Sequence, residues 1–329
     1  MSSSPPAAPP PPSHPQPEPV RFGIMACATI ARKVSRAILL APSAAVAAVG
    51  SRSEAKARAF AAAAGLAAPR LHGSYEALLE DPGVDAVYLP LPTSLHLRWA
   101  TAAAAMGKHV LLEKPTALCA ADLDAILAAC DAAGAQFLNN DIRVKPDLDA
   151  LGALGDAGWY CIRAILWAVD YELPNTVIAL CNPVRNQAGI LACGTTLYWA
   201  DGKIAIFNCS FLGNLCMDMT IIGTNGMLHV TDFVIPYEEK SAPFDMATKS
   251  KLVKLEIGWD PLPSKHVIPA DLPQEVLMIQ EFSRLVQNIR DSSGKPDEKW
   301  PAITRKTQVV MDAVKTSIDN EFGPVDISC

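Results

Sequence analysis

The run His109-Val110-Leu111-Leu112-Glu113-Lys114-Pro115 ends an apolar segment on a carboxylate and an ammonium side by side. Two charges at the edge of a buried strand cost free energy unless they pair or bind something. Pro115 holds Lys114 extended and out of the helix that follows. A lysine held there, beside a carboxylate and a cofactor, is suited to give or take a proton. Asp156 and Tyr160 form a second pair, four residues apart and so on one helix face. The competing reading of that pair puts Tyr160 in the core and makes Asp156 a cap.

Other stretches suit binding. The turn Gly23-Ile24-Met25-Ala26-Cys27-Ala28-Thr29-Ile30-Ala31 follows the first apolar run and opens a helix. Such a turn brings backbone N–H groups and a helix N-terminus against a pyrophosphate, and small side chains let the backbone close in. Alanine stands at 26, 28 and 31, where glycine is usual, and it tolerates positive φ less well. The string is weak by itself and gains weight from its place after the first strand. About twenty residues on, an NAD enzyme carries an acid for the ribose hydroxyls. This chain has Ser51-Arg52-Ser53 instead. An arginine there can fork onto a 2′-phosphate, which favours NADP(H) over NAD(H); the plainer alternative is an exposed arginine at a helix start. Leu91, Pro92 and Thr93 belong to a rigid strand-end loop suited to the nicotinamide ribose. His96 opens the next helix, where a histidine is more often structural than catalytic.

Positioning these residues requires a regular scaffold. From Val20, the short apolar runs VRFGIM, AAVAAVGS, VDAVYLP, HVLLEK and AQFLN alternate with helical stretches. Ser53 is placed as an N-cap, and Gly65, Gly107 and Gly134 as helix ends. This pattern predicts a parallel sheet buried on both faces, doubly wound in the Rossmann manner, with ligands beyond the carboxyl ends of the strands. DLDALGALGDAGWYCIRAILWA reads as a long helical stretch. TVIALC, GILACGTTLYW, GKIAIFNCSFL, CMDMTIIGT and GMLHVTDFVIPY read as antiparallel strands, with turns at Ala200-Asp201-Gly202 and Thr224-Asn225-Gly226. Two amphipathic helices follow, PQEVLMIQEFSRLVQNIRD and TRKTQVVMDAVKTSIDNE. The predicted class is α/β plus α+β. The expected organisation is a disordered proline-rich tail over residues 1–19, an NADP-binding domain over 20–140 onto which C-terminal helices can pack back, and a substrate and dimerisation domain over 141–329, shortened at its start.

Of 329 residues, 50% are hydrophobic and 19% charged, the profile of a soluble globular protein with a sizeable core. No basic patch stands out to suggest nucleic acid, and no apolar run reaches the roughly 18 residues of a membrane span. The first residues have no basic or apolar core, so they read as neither a signal nor a transit peptide. Nine scattered cysteines form no C-x-x-C pair and no zinc spacing, which suggests free thiols, no metal, and a cytoplasmic protein.

The chain resembles the family of glucose-fructose oxidoreductase, inositol dehydrogenase and dimeric dihydrodiol dehydrogenase. The resemblance rests on GIMACATIA, on Pro90 through Leu91, Pro92, Thr93 and His96, and most specifically on Glu113-Lys114-Pro115. GALGDAGWY and GTNGMLHV extend it, and LPQE and WPAITRKTQ are closest to plant members. It implies a hydride transfer between a nicotinamide and a carbinol or carbonyl of a small sugar or cyclic diol. It also implies that Lys114 touches cofactor and substrate as the proton donor or acceptor, and that the Lys114–Pro115 bond is cis. Where many members carry Asp-x-Gly-x-His, the dihydrodiol branch carries tyrosine, as in Asp156-Ala157-Gly158-Trp159-Tyr160. Tyr160 is then a proton relay or an orienting hydroxyl, and Asp156 its substrate-binding partner. A tyrosine hydroxyl titrates near 10 and needs Lys114 close by to act as a base. The implied cofactor set is Ala26, Cys27, Ala28, Thr29, Ile30, Ser51, Arg52, Leu91, Pro92, Thr93, His96, Glu113 and Lys114. The implied second domain is an open-faced antiparallel sheet whose outer face makes a homodimer.

One departure stands against this. Between Phe137 and Asp147 only LNNDIRVKP remains, where relatives carry a further helix and the first long strand of the second sheet. A shortened second domain would expose a sheet edge and weaken the substrate cleft. The competing expectation is therefore a non-catalytic NADP-binding protein.

Overall fold

A computed structural model of the protein describes residues 17–140, 151–186, 189–292 and 294–327. The first half is one parallel sheet of β1 (Val20–Met25), β2 (Ala44–Gly50), β3 (Arg70–His72), β4 (Ala86–Leu89), β5 (His109–Glu113) and β6 (Phe137–Asn140). Their spatial order is β3-β2-β1-β4-β5-β6. The connecting helices are α1 (Thr29–Leu40), α2 (Glu54–Ala63), α3 (Tyr75–Glu80), α4 (His96–Ala105) and α5 (Ala120–Ala132). The strand order reverses between β1 and β4, which opens the crevice where ligands of such sheets bind. β1, β4 and β5 are almost wholly buried, as their unbroken apolar sequences require. The three-residue β3 is too short and too polar to show in the sequence pattern. Gly65, Gly107 and Gly134 adopt positive φ just past their helices, as expected. Ser53 occupies the N-cap of α2, but its side chain makes no capping hydrogen bond.

β5 begins with a pH-sensitive contact. His109 Nδ1 accepts the Gln136 N–H at 2.9 Å. Burial, helped by the charge of Arg290, lowers the His109 pKa from 6.5 to about 4. Between these values the unfolded chain binds the extra proton, so this contribution is complete above pH 6.5 and is lost as pH falls toward 4. The size is on the order of 3 kcal/mol. Urea unfolding of His109→Gln should therefore show a flatter loss of stability than the parent across that window. An identical slope would mean that this ring does not titrate there.

The second half contains α6 (Trp159–Ala168), β7 (Thr176–Ala179), β8 (Val184–Asn186), β9 (Gly189–Tyr198), β10 (Ile204–Ser210), β11 (Met219–Gly223), β12 (Gly226–Val230), β13 (Ser241–Thr248), β14 (Ser264–Pro269), α7 (Gln274–Ser292), α8 (Lys299–Asp319) and β15 (Val325–Asp326). The strands pair antiparallel in separate sheets: β10-β9-β7-β15 with β8 on β9, β11-β12-β13-β14, and a two-stranded ribbon of Lys251–Leu252 with Trp259–Asp260. β13 and β14 escape the sequence pattern because prolines and charges interrupt their alternation.

Both long C-terminal helices return to the first half. Val276, Ile279, Phe282 and Val286 of α7 join the core of α1 and β1, with Phe22 and Phe282 ring centroids 5.6 Å apart. α8 links the two halves. Asp312 accepts the Ala120 N–H at 2.6 Å, capping α5, which has no side-chain cap of its own. Farther along α8, Ser317 Oγ accepts the Ala179 N–H at 2.9 Å. No helix among the described residues is long and apolar enough to cross a membrane.

Candidate active site

A cavity of about 780 Å³ opens at the carboxyl end of the parallel sheet and is closed from the other side by the second half. Cys27, Ala28, Thr29 and Ile30 form its floor at the start of α1. Ala28 is the N-cap, in extended conformation, with no side-chain hydrogen bond, and no acid lies in the first turn. The helix start thus keeps uncapped N–H groups and an unopposed positive dipole end, which suits an anion. Ala26 has φ 110°, a backbone region that favours glycine. Relief of that strain should outweigh the added unfolded-state freedom of glycine, so Ala26→Gly is expected to stabilise the protein by about 1 kcal/mol. Thermal unfolding at fixed scan rate checks this, and a lower melting temperature would refute it.

Pro90, Leu91, Pro92 and Thr93 form a second wall after β4. The third is Lys114, whose side chain is 0% exposed. Its Nζ donates to the Asp156 carboxylate and, at 3.2 Å, to the Asp156 carbonyl. That carbonyl belongs to an irregular, widened helical turn, Leu154–Gly158, just before α6; such turns leave carbonyls outside the regular ladder. Gly152 has φ +59°, and a Cβ there would collide with the Ile190 carbonyl, so only glycine lets this segment lie against β9. Lys114 Nζ also lies 4.8 Å from the centre of the Tyr160 ring. The ammonium therefore meets the ring face of Tyr160, and two of its three N–H groups are taken by Asp156. The Lys114–Pro115 bond is cis, as the resemblance implies.

Of the sequence candidates, Cys27, Ala28, Thr29, Ile30, Leu91, Pro92, Thr93, Lys114, Asp156 and Tyr160 line this cavity. Others do not, each for a local reason. Glu113 is fully buried and accepts the Tyr88 hydroxyl proton, behind rather than in the wall. His96 is also fully buried, with Nε2 2.8 Å from the Leu91 carbonyl and Nδ1 3.1 Å from the Thr116 carbonyl. Burial lowers its pKa. It ties the β4 loop to the segment after β5. Ser51 is buried under the first turn, its N–H donated to the His72 carbonyl. Ala26 sits just before the lining residues, its N–H on the Gly50 carbonyl at 3.0 Å. Arg52 is exposed outside the cavity wall.

The sequence reading missed Lys33, one turn into α1 and on the cavity wall. It also missed the wall from the second half, which includes Asn208, Ser210, Phe211, Leu215 and Phe233. Asn208 faces Gly194 across the β9–β10 ladder, where any Cβ would meet its amide oxygen. Nothing in strand periodicity marks these residues. Lys33 had a signal, since it lies four residues after Thr29 on the same helix face.

A doubly wound sheet with an uncapped helix start at its switch point is the architecture in which dinucleotides bind, and here a buried lysine–aspartate pair faces that point across the crevice. Residues 20–140 match the model of an oxidoreductase family with an NAD-binding Rossmann fold, GFO_IDH_MocA. A D-xylose 1-dehydrogenase (NADP(+)) of Haloferax volcanii is 35% identical over 182 residues, covering 44% of this chain and 55% of that protein. The human trans-1,2-dihydrobenzene-1,2-diol dehydrogenase is 26% identical over 277 residues, 70% of this chain and 82% of that protein. The first three curated matches align over 44%, 55% and 42% of their own length, so the chain spans about half of them. The fold is that of the 3-ketoreductase KijD10 of Actinomadura kijaniata, solved with TDP-benzene and NADP. Its TM-score is 0.76 at 24% identity, covering 91% of this chain and 98% of that one.

Proposed function

We propose that the protein is an NADP(H)-dependent oxidoreductase acting on a carbinol or carbonyl of a small sugar or cyclic diol. The observation that carries this reading is the buried Lys114–Asp156 pair, set in the cavity wall opposite the uncapped start of α1. When bound, the nicotinamide dinucleotide supplies or accepts the hydride. The first turn, Ala26 to Ile30, would hold its pyrophosphate, Arg52 its 2′-phosphate, and Leu91 to Thr93 its nicotinamide ribose. Lys114 gives or takes the proton at the reacting oxygen through the N–H that Asp156 leaves open. Asp156 fixes the ammonium in place, and Tyr160 orients the substrate rather than receiving the proton, because its ring faces Nζ. Residues 20–140 are the cofactor domain, and the second half is the substrate and dimerisation domain. Ile204 and Ile206, 62% and 63% exposed on the edge strand β10, support a homodimer through that sheet. The free thiols support a cytoplasmic protein.

Titration with NADPH and NADH, read by energy transfer from tryptophan, tests the first step. A panel of sugars and diols tests the second. Tighter NADPH binding with turnover is expected. NADPH binding without turnover across the panel would favour the non-catalytic alternative, and absence of binding by the folded protein would overturn both.

A further inference from the structure

Cys193 on β9 and Cys209 on β10 are direct partners across the antiparallel ladder. Both side chains face the core of the second half. Both are free thiols, with their sulfurs 3.4 Å apart. Closing to a disulfide needs about 2 Å between sulfurs, so a shift of roughly an ångström and a half joins two atoms already in contact. Cys209 also lines the large cavity, as does Cys161. A small oxidant in the cavity therefore reaches Cys209, whose sulfur touches that of Cys193, without unfolding of the sheet.

We propose that Cys193 and Cys209 are a site of reversible oxidation, closing to a cross-strand disulfide when a peroxide enters the cavity. In the first step one sulfur of the pair attacks a peroxide oxygen as the thiolate and the O–O bond breaks. This leaves a sulfenic acid on that cysteine and a hydroxide, which takes up the proton released from its thiol and becomes water. In the second, the other sulfur attacks the first; the S–S bond forms, the S–O bond breaks, and a second water leaves with the remaining thiol proton. Two thiols are oxidised and one peroxide is reduced to two waters.

A hydrogen bond joins the two sulfurs, and that bond, with the charge of Arg185, holds the Cys193 thiol below its ordinary value against its burial. The same hydrogen bond, with burial, pushes the Cys209 thiol well up. Burial pushes Cys161 up to about 12, which keeps it a thiol and out of the first step. Ser210 and Phe211, which follow Cys209, line the cavity, so the bond would fasten that wall to β9.

The test is treatment of the intact chain with stoichiometric hydrogen peroxide, alkylation after quenching, and non-reducing peptide mapping. The expected result is one linked peptide pair joining Cys193 to Cys209, two hydrogens lighter than the free peptides and released by dithiothreitol, with Cys161 alkylated. Cys161→Ser should leave the link intact, and Cys193→Ser should abolish it. Recovery of both Cys193 and Cys209 as alkylated thiols while other cysteines oxidise, or a link to Cys161 instead, would overturn the proposal. The parent protein alone decides the matter if a serine variant fails to fold. The readout involves neither cofactor nor turnover, so it stands apart from the proposed hydride transfer.

Discussion

Lys114→Met should lower kcat by about a thousandfold, within the range typical for removing a positioned acid or base, while NADPH affinity changes little. The expectation rests on where the ammonium lies. Its side chain is fully buried, yet it lines the cavity, and among the described residues its ammonium donates to Asp156. A buried ammonium persists when paired, and here the pair lines the cavity into which the start of α1 also opens. Methionine keeps the length and apolar bulk of the side chain and removes only the charge and the donors. Asp156 retains some access to water, with its side chain 18% exposed, so it can hydrate when its partner is gone and the protein should stay folded. Steady-state kinetics with matched NADPH titration and thermal unfolding separate the effects. A fall in kcat with unchanged Kd for NADPH is the expected result. A variant with full turnover would remove Lys114 from the chemistry, and a variant that has lost NADPH binding and melts early would mean that the pair is structural.

The same strand shows why the sequence read the scaffold better than the site. Apolar runs and helix-ending glycines suffice to place β1, β2, β4, β5 and β6 and the crevice beyond them, because burial on both faces leaves a simple pattern. Glu113 and Lys114, however, are adjacent in an extended chain, and successive side chains of a strand point to opposite faces. Only one of the two could enter the cavity, and burial of Glu113 against the Tyr88 hydroxyl leaves Lys114 as that one. His96 was legible as a residue but not as a brace, since the Leu91 and Thr116 carbonyls that hold it come together only when the β4 and β5 loops meet. Asp156 and Tyr160 do share the cavity, but the local widening of the helix gives Lys114 both the carbonyl and the carboxylate of Asp156, which a regular helix would not predict. The wall from Asn208 to Phe233 depends on how two sheets separate after β10, a long-range matter that local alternation does not encode. The LNNDIRVKP stretch, on which the expectation of a shortened second domain rests, lies from Asp141 onward outside the described residues.

Arg52 should decide between the two dinucleotides. Arg52→Ala is expected to weaken NADPH binding by about 10- to 100-fold and leave NADH binding unchanged, the loss typical of one charge-assisted bidentate contact. The position follows β2, where related folds bind the adenosine ribose, and the residue there is a cation instead of an acid. Its guanidinium is exposed and makes no ion pair among the described residues, so no intramolecular carboxylate competes for it. Exposure also sets the salt dependence. The preference for NADPH should shrink as ionic strength rises, because solvent screens a surface charge pair over about 10 Å at 0.1 M salt. Arg52→Asp carries the argument further, since an acid both repels the 2′-phosphate and accepts from ribose hydroxyls, and the order of the two affinities should reverse. Titrations of both cofactors against the three proteins at two salt concentrations give the full comparison. Equal losses for NADPH and NADH would make Arg52 a support for the α2 start rather than a phosphate ligand. Unchanged NADPH binding would move the phosphate contact elsewhere, with Lys33 the next cation to replace, because it lines the cavity beside the start of α1.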